Sequence, residues 1–309
     1  MQSKIAIVGA NGFVGRHLVE RLAGTGSVAV GIVRSEEGAG LVERLGGTPV
    51  RVSDLHRAST DALVPALAGC DGLVYTASVS PGPGAVDRTD PAGLVNVLGA
   101  CREAGVPRFV YLSGLGIAHY GMNPHCTNDY FLSKMAGEVA LFRSPLIATV
   151  FRPSYIFGPG DEFLSPLVRR MAASSEIEIP GSGEYRLQPI SVRDAARAIL
   201  AALDPGEPAE PRVLDLVGPE VISYAALIGR LASPLGRPVT VRGRRVQEAI
   251  AEARASGYFG LRAHDLACLL CDEVSDSREI ERLVGERLES LDDMVRVTIA
   301  ALALPGEKA

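Results

Sequence analysis

Short, unbroken apolar runs recur along the first half of the chain, each followed by a glycine-marked turn and a longer amphipathic stretch. "KIAIVG", "VAVGIV", "TPVRV", "GLVYTA", "RFVYLS" and "LIATVF" read as strands. Their lack of alternation marks them as covered on both faces, as in a parallel sheet. Between them, segments such as "GRHLVERLAG" and "PAGLVNVLGACREAG" have helical length. Strands alternating with helices predict βαβ units with right-handed crossovers, hence an α/β, doubly wound Rossmann sheet. After residue 151 the rhythm loosens. "SVRDAARAILAAL" predicts a helix with Ser191 as N-cap and Asp194 in a capping-box-like position; "RVLDLV" predicts a strand and "SYAALIGRLA" another capped helix. From about residue 243 the chain turns helical and arginine-rich without βαβ alternation. The expected organisation is a Rossmann domain over residues 1–235, with a substrate-facing excursion at about 155–190, and a small, mostly helical C-terminal lobe over 236–309.

The first strand runs directly into "GANGFVG", with Gly9, Gly12 and Gly15 spaced by three and opening a helix. One glycine permits a tight turn, a second lets backbone approach a pyrophosphate, and a third lets the helix pack on the strand. The helix start then offers orphan N–H groups to phosphates. This context predicts dinucleotide binding, and the absence of G-K-[ST] argues against a phosphate-cleaving loop. An acidic residue usually ends the second strand of an NAD site. Here "GIVRSEEG" puts Arg34 and Ser35 at that corner, which favours the 2′-phosphate of NADP, with NAD as the alternative through Glu36 or Glu37.

Composition narrows the remaining choices. Hydrophobic content of 47% and charged content of 22% are those of an ordinary globular protein. A net charge of −5 supplies no electrostatic reason to bind nucleic acid or an anionic membrane. The apolar run before Gly9 is too short for a signal segment, and no run reaches the ~18 residues of a membrane span. Five scattered cysteines, an odd number, predict free thiols in a reducing cytoplasm, and "CLLC" reads as two cysteines on a helix.

Of the 31 basic residues only Lys4, Lys134 and Lys308 are lysines, and the sole interior one stands four positions after Tyr130 in "NDYFLSKMAGE". That spacing stacks the two side chains on one helix face. A phenol with an ordinary pKa near 10 is a poor proton carrier at neutral pH, and an adjacent ammonium favours its phenolate. The pair is therefore a candidate acid/base for interconverting an alcohol and a carbonyl.

Together, "GANGFVG", Tyr130-x-x-x-Lys134, "RFVYLSG" and "FRPSYIFGPGD" resemble the short-chain dehydrogenase/reductase superfamily. The likeness is to its extended or atypical branch, the NAD-dependent epimerase/dehydratase family, and covers about residues 4 to 235. It implies cofactor contacts from Gly9, Asn11, Gly12, Phe13, Val14 and Gly15 and from Arg34 and Ser35. It further implies Asp54 and Leu55 at the adenine, Thr76, Ala77 and Ser78 beside the cofactor, and Pro153, Ser154, Tyr155 and Ile156 at the nicotinamide. Tyr130 and Lys134 would be catalytic, Lys134 also holding the nicotinamide ribose, with Ser113 as helper. Two departures stand out. Gly114 and Leu115 occupy the places where the family's catalytic serine or threonine generally lies, leaving Ser113 and Thr127 as hydroxyl donors. Arg186 in "EYRLQPISVRD" precedes Asp194 by eight rather than the seven of diphosphate-gripping relatives, and such a slip turns a strand side chain to the other face. The motifs after residue 186 look closer to NmrA-like regulators and to the complex I accessory subunit. His119, His125 and Cys126 cluster before Tyr130 in no closed zinc pattern, and substrate contact is the better expectation for them than metal.

The expected function is an NADP-preferring oxidoreductase acting on a small-molecule carbonyl or alcohol. A non-catalytic NADP(H) sensor or accessory protein and a nucleotide-sugar epimerase or dehydratase are the rivals. No nucleic-acid or membrane partner is expected, and the resemblance allows a homodimer.

Overall fold

A computed structural model describes residues 3–78, 89–123, 129–236, 238–255 and 263–302. All six strands expected from the apolar runs form: β1 (Lys4–Val8), β2 (Val28–Val33), β3 (Thr48–Arg51), β4 (Gly72–Tyr75), β5 (Arg108–Leu112) and β6 (Ile147–Pro153). Helices α1 (Phe13–Gly24), α2 (Glu36–Arg44), α3 (Thr60–Leu67), α4 (Thr89–Ala104) and α5 (Asp129–Phe142) connect them. Beyond β6 come β7 (Ile156–Phe157), α6 (Leu164–Ala173), β8 (Glu176–Pro180), β9 (Arg186–Leu187), β10 (Ile190–Ser191) and α7 (Val192–Ala201). They are followed by β11 (Arg212–Leu216), β12 (Ile222–Ser223), α8 (Tyr224–Ala232) and β13 (Thr240–Arg244). Helices α9 (Val246–Ala255), α10 (Ala263–Leu269), α11 (Arg278–Val284) and α12 (Leu291–Ala301) complete the described chain.

Seven parallel strands form the central sheet, in the order β11-β6-β5-β4-β1-β2-β3. Consecutive residues Ala6, Ile7 and Val8 are all fully buried, so both faces of β1 are covered, as unbroken apolar strands require. Leu18, Val19 and Leu22 of α1, Val42 of α2 and Ile199 of α7 cover one face. Leu63 and Leu67 of α3, Leu94 and Val97 of α4 and Leu141 of α5 cover the other. The chain winds outward from β1 through β3 and then crosses to β4 on the far side. That reversal opens a crevice beyond the carboxyl ends of β1 and β4, where ligands of open α/β sheets bind.

A second apolar cluster joins residues of α6, α8, α9, α10 and α12 with β8, away from the sheet. It does not take all of the tail. Ile280, Leu283 and Leu288 return to the α1–α7 face of the sheet. Ser191 caps α7 as expected, its Oγ accepting the Asp194 N–H at 3.0 Å. The Asp194 carboxylate departs from the capping-box expectation. It accepts the Glu289 N–H at 2.6 Å and pairs with Arg197, fastening the tail to the sheet domain.

Helix α5 is clamped to β6 by Glu138 and Arg152, whose Nε and Nη2 meet the two carboxylate oxygens at 2.9 and 2.6 Å. Glu138 is buried, so removing one partner strands a charge the remaining protein solvates poorly. Glu138→Ala is expected to cost on the order of 3 kcal/mol. A double-mutant cycle with Arg152→Ala by urea unfolding would read it, and additive single effects would contradict the clamp.

The expectation of five free thiols needs correction. Cys70 and Cys101 are free thiols, but Cys271 is disulfide-bonded. Cys126 lies outside the described residues. Spacing along the chain does not reveal which thiols folding brings together. Burial pushes the Cys101 thiol up to about 12, leaving it inert. Among the described residues no helix is long and apolar enough to cross a membrane.

Candidate active site

The glycine loop does three separate things. Gly9 has φ +82, and a Cβ there would stand 2.9 Å from the Ala77 nitrogen at the end of β4. Gly12 caps α1 without a side chain, its own N–H donating to the Gly9 carbonyl at 2.9 Å. Gly15 lies so close to β1 that a Cβ would come within 2.2 Å of the Gly9 carbonyl oxygen. The start of α1 is thereby brought to the sheet edge with its first N–H groups uncovered by a capping side chain, a cradle suited to a pyrophosphate.

A cavity of about 430 Å³ opens beside this loop, lined by Gly9, Asn11 and Gly12, by Arg34, and by Asp54 and Leu55. Thr76, Ala77 and Ser78 close its other side. Arg34 is exposed and has no carboxylate partner among the described residues. The two glutamates that follow it are engaged elsewhere. Glu36 pairs with Arg51, while Glu37 accepts from its own N–H and from the Ser35 hydroxyl, which holds its carboxyl below the usual range. Ser35 is not among the residues lining the cavity; its Oγ caps α2, accepting the Gly38 N–H at 3.1 Å. The Thr76 hydroxyl donates to the Val8 carbonyl at 2.9 Å, tying β4 to β1 beneath the loop. An anion-ready helix start beside one uncommitted guanidinium fits a nicotinamide dinucleotide with its phosphates on α1.

A second cavity, about 800 Å³, adjoins the first through Gly12, Thr76 and Ser78. Phe13 and Val14 line it from α1, Ser113 and Tyr130 from the opposite wall, and Pro153, Ser154, Tyr155 and Ile156 from the end of β6 onward. Tyr130 and Lys134 lie on one face of α5, as their spacing requires. The Lys134 ammonium is buried 5.8 Å from the Tyr130 ring centre and 5.1 Å from that of Tyr111. Lys134 is not itself part of the cavity wall; it sits behind the phenol. Ser113 is 2% exposed, its N–H held by the Phe151 carbonyl at 2.8 Å. Its Oγ has no partner among the described residues, although it borders the cavity. Leu115, at the family's usual serine position, is buried in the short 3-10 helix Leu115–His119 and does not line the cavity.

The loop after β6 is held rigidly. Arg16 of α1 donates to the Pro159 carbonyl at 2.8 Å. The buried Asp161 carboxylate accepts N–H groups from Gly158, Phe163, Leu164 and Ser165. Burial holds its pKa above the ordinary carboxyl value, and those four donors offset the rise only in part. Ser154 Oγ accepts the Gln188 N–H at 3.2 Å.

Arg186 lies outside the cavity lining. It is half-exposed on β9, with Leu187 turned into the core, and its Nε and Nη2 grip Asp272 at 2.9 and 2.7 Å. His119 is partly buried near Asp272, and His125, Cys126 and Thr127 lie outside the described residues. Sequence reasoning overlooked three carboxyls of the second cavity, Asp161, Glu162 and Glu273. Asp161 was legible as an acidic residue just before a helix. Glu273, 143 residues beyond Tyr130, carried no signal. Cys268 and Glu273 belong to the tail segment "GYFGLRAHDLACLLCDEV", two of whose residues thus wall the cavity.

The chain resembles known proteins in sequence and in fold. The chain is 27% identical over 278 residues to a dTDP-4-dehydro-6-deoxy-D-allose reductase of a Streptomyces species, covering 77% of this chain and 83% of that enzyme. It is 26% identical over 257 residues to a 2-alkyl-3-oxoalkanoate reductase of Stenotrophomonas maltophilia, covering 76% of each. The fold superposes on a UDP-glucuronic acid 4-epimerase from Bacillus cereus, solved with UDP-glucuronic acid and NAD, with a TM-score of 0.74 at 18% identity over 96% of this chain and 98% of that one. A sequence profile matches residues 5–216, across the glycine loop, the Tyr130–Lys134 pair and all seven strands of the sheet, and by that match the chain belongs to the NAD dependent epimerase/dehydratase family.

Proposed function

We propose that this family member is an NADP-preferring reductase or dehydrogenase acting on a carbonyl or alcohol of a small molecule. The observation that carries the reading is that Tyr130 and a Ser113 hydroxyl with no partner among the described residues both line a cavity adjoining the glycine loop. The bound cofactor supplies hydride chemistry. Tyr130 gives a proton to the substrate oxygen when a carbonyl is reduced and takes one when an alcohol is oxidised. Ser113 donates a hydrogen bond to the same oxygen. Lys134, behind the phenol, supplies the positive charge that a phenolate needs, and is the residue that would hold the nicotinamide ribose. The names of the two sequence relatives, both reductases of keto compounds, support a carbonyl substrate.

A nucleotide-sugar epimerase is the second reading, favoured by the structural neighbour that binds UDP-glucuronic acid. The engagement of Arg186 with Asp272, away from the cavity, weighs against a diphosphate grip. The deciding experiment follows nicotinamide absorbance with a panel of ketones, aldehydes and secondary alcohols, alongside cofactor retention on desalting. Net oxidation of NADPH supports the reductase. Tightly retained NAD without net oxidation, together with epimerisation of a nucleotide sugar, would replace it. Tight NADP(H) binding without any turnover would identify the sensor.

Cofactor choice has its own test. Arg34→Ala removes the guanidinium assigned to the 2′-phosphate, and a charge-assisted hydrogen bond contributes about 1.5–3 kcal/mol. NADP affinity is expected to fall about 10- to 100-fold with NAD affinity unchanged. Equal losses for both cofactors would show that Arg34 does not read the phosphate.

A further inference from the structure

The substrate side of the second cavity is lined by three carboxyls, Asp161, Glu162 and Glu273, and by no lysine or arginine among the described residues. Asp161 is consumed by the four N–H groups it caps. Glu273 is different. It is 5% exposed and belongs to a segment bolted down on both sides. Its N–H donates to the Arg186 carbonyl at 2.9 Å, and Asp272 beside it is gripped by Arg186. Two residues on, Ser275 donates to Gln188 Oε1 at 2.8 Å and to Asp215 at 2.6 Å. The Glu273 carboxyl itself receives the Gly116 N–H. Across the cavity the buried Ser113 hydroxyl has no partner among the described residues.

We propose that Glu273 is a substrate-binding residue which, as a neutral carboxylic acid, donates its O–H to an acceptor oxygen of an uncharged keto substrate, and that the cavity, with no lysine or arginine in its lining among the described residues, disfavours diphosphate-bearing ligands. This deepens the reductase reading and rests on it for the word substrate. Burial pushes the Glu273 carboxyl up to about 8, with the Gly116 N–H as the opposing influence, so the acid form prevails at neutral pH. The protonated carboxyl is a donor, while a buried carboxylate would repel an ester or ketone oxygen. The titratable and charged groups around it are Asp272 and Arg186 in their ion pair, His119 near Asp272, and Asp161, Glu162, Tyr130, Tyr155 and Cys268 along the cavity.

Methyl 4-acetylbenzoate and methyl 4-oxopentanoate serve as probes, being uncharged ketones whose ester groups only accept hydrogen bonds. Both are titrated calorimetrically at pH 6.5 and pH 9, with NADP⁺ present to form a dead-end complex and again without it. Wild type, Glu273→Gln and Glu273→Ala are compared, with UDP-glucose as the diphosphate probe. In the wild type the affinity of at least one ester is expected to fall about tenfold between the two pH values. It should stay flat in Glu273→Gln, whose amide donates at both, and be weak throughout in Glu273→Ala. The Gln variant retains Cys268, His119 and Tyr130, so a flat profile there assigns the titration to Glu273.

A stability control separates burial from recognition. The ordinary carboxyl value is 4.5 and the folded one about 8, so over that window the folded chain keeps a proton the unfolded chain gives up. Wild-type stability should therefore decline as pH rises from 4.5 to 8, and Glu273→Gln should lack that decline. A wild-type profile without pH dependence, Glu273→Ala binding as tightly as wild type, no binding of either ester, or tighter binding of UDP-glucose would each overturn the proposal. Loss of the reductase reading alone would show as unchanged turnover in Tyr130→Phe, a result the dead-end titration does not depend on.

Discussion

Tyr130→Phe is expected to lower turnover with any carbonyl the wild type reduces by on the order of 10²–10⁴-fold, the usual contribution of a positioned general acid. The phenyl ring keeps its tilted packing on Phe131, whose ring centre is 5.6 Å away, so the fold and dinucleotide affinity should be unchanged. The loss should appear in kcat and kcat/KM alike, marking an interaction made only in the transition state. Lys134→Met supplies the complementary result. Its ammonium is buried behind the phenol, so the variant should lose turnover and cofactor affinity together. Equal rates for wild type and Tyr130→Phe would remove the proton-transfer reading, whatever the cofactor affinity.

Gly15→Ala tests the other half of the site. Its Cβ would come 2.2 Å from the Gly9 carbonyl oxygen and 2.8 Å from Ala10 Cα, both backbone atoms with no rotamer to escape into. Helix α1 must then move off β1, taking with it the N–H groups assigned to the pyrophosphate. Overpacking of this kind typically costs 1–3 kcal/mol, and about 3 kcal/mol is expected here because backbone must yield. NADP⁺ affinity should drop at least tenfold, since the displaced helix start no longer faces the phosphates. Gly24→Ala at the far end of the same helix is the control, with nothing within 4 Å of the added Cβ. Urea unfolding and cofactor fluorescence on the two variants would check both effects. A Gly15→Ala protein with normal affinity would mean that the close approach is unrelated to binding.

Both sites are written locally into the chain. Gly15 and the Tyr130–Lys134 pair act through neighbours three or four residues away, or through the strand just before, so periodicity and spacing expose them. Ser35 shows where local inference stops. Its place at the end of β2 suggested a cofactor contact, yet the preference of a serine for a helix start drew its hydroxyl to Gly38. The slip at Arg186 was also legible, because alternation along β9 turns Leu187 into the core and Arg186 outward.

By itself the sequence determined the parallel sheet, the placement of the glycine loop and the helix face shared by a phenol and an ammonium, all consequences of short-range geometry. Only the tertiary structure decided that Ser113 rather than Leu115 borders the cavity, that Cys271 is paired, and that Glu273 faces the same space as Tyr130. The place of Glu273 depends on where a segment far along the chain comes to rest, and no periodicity connects residues separated by a hundred positions or more. What connects them is packing, because the tail completes apolar clusters begun by the sheet domain and by α6, and carries the buried Glu273 into the cavity with it.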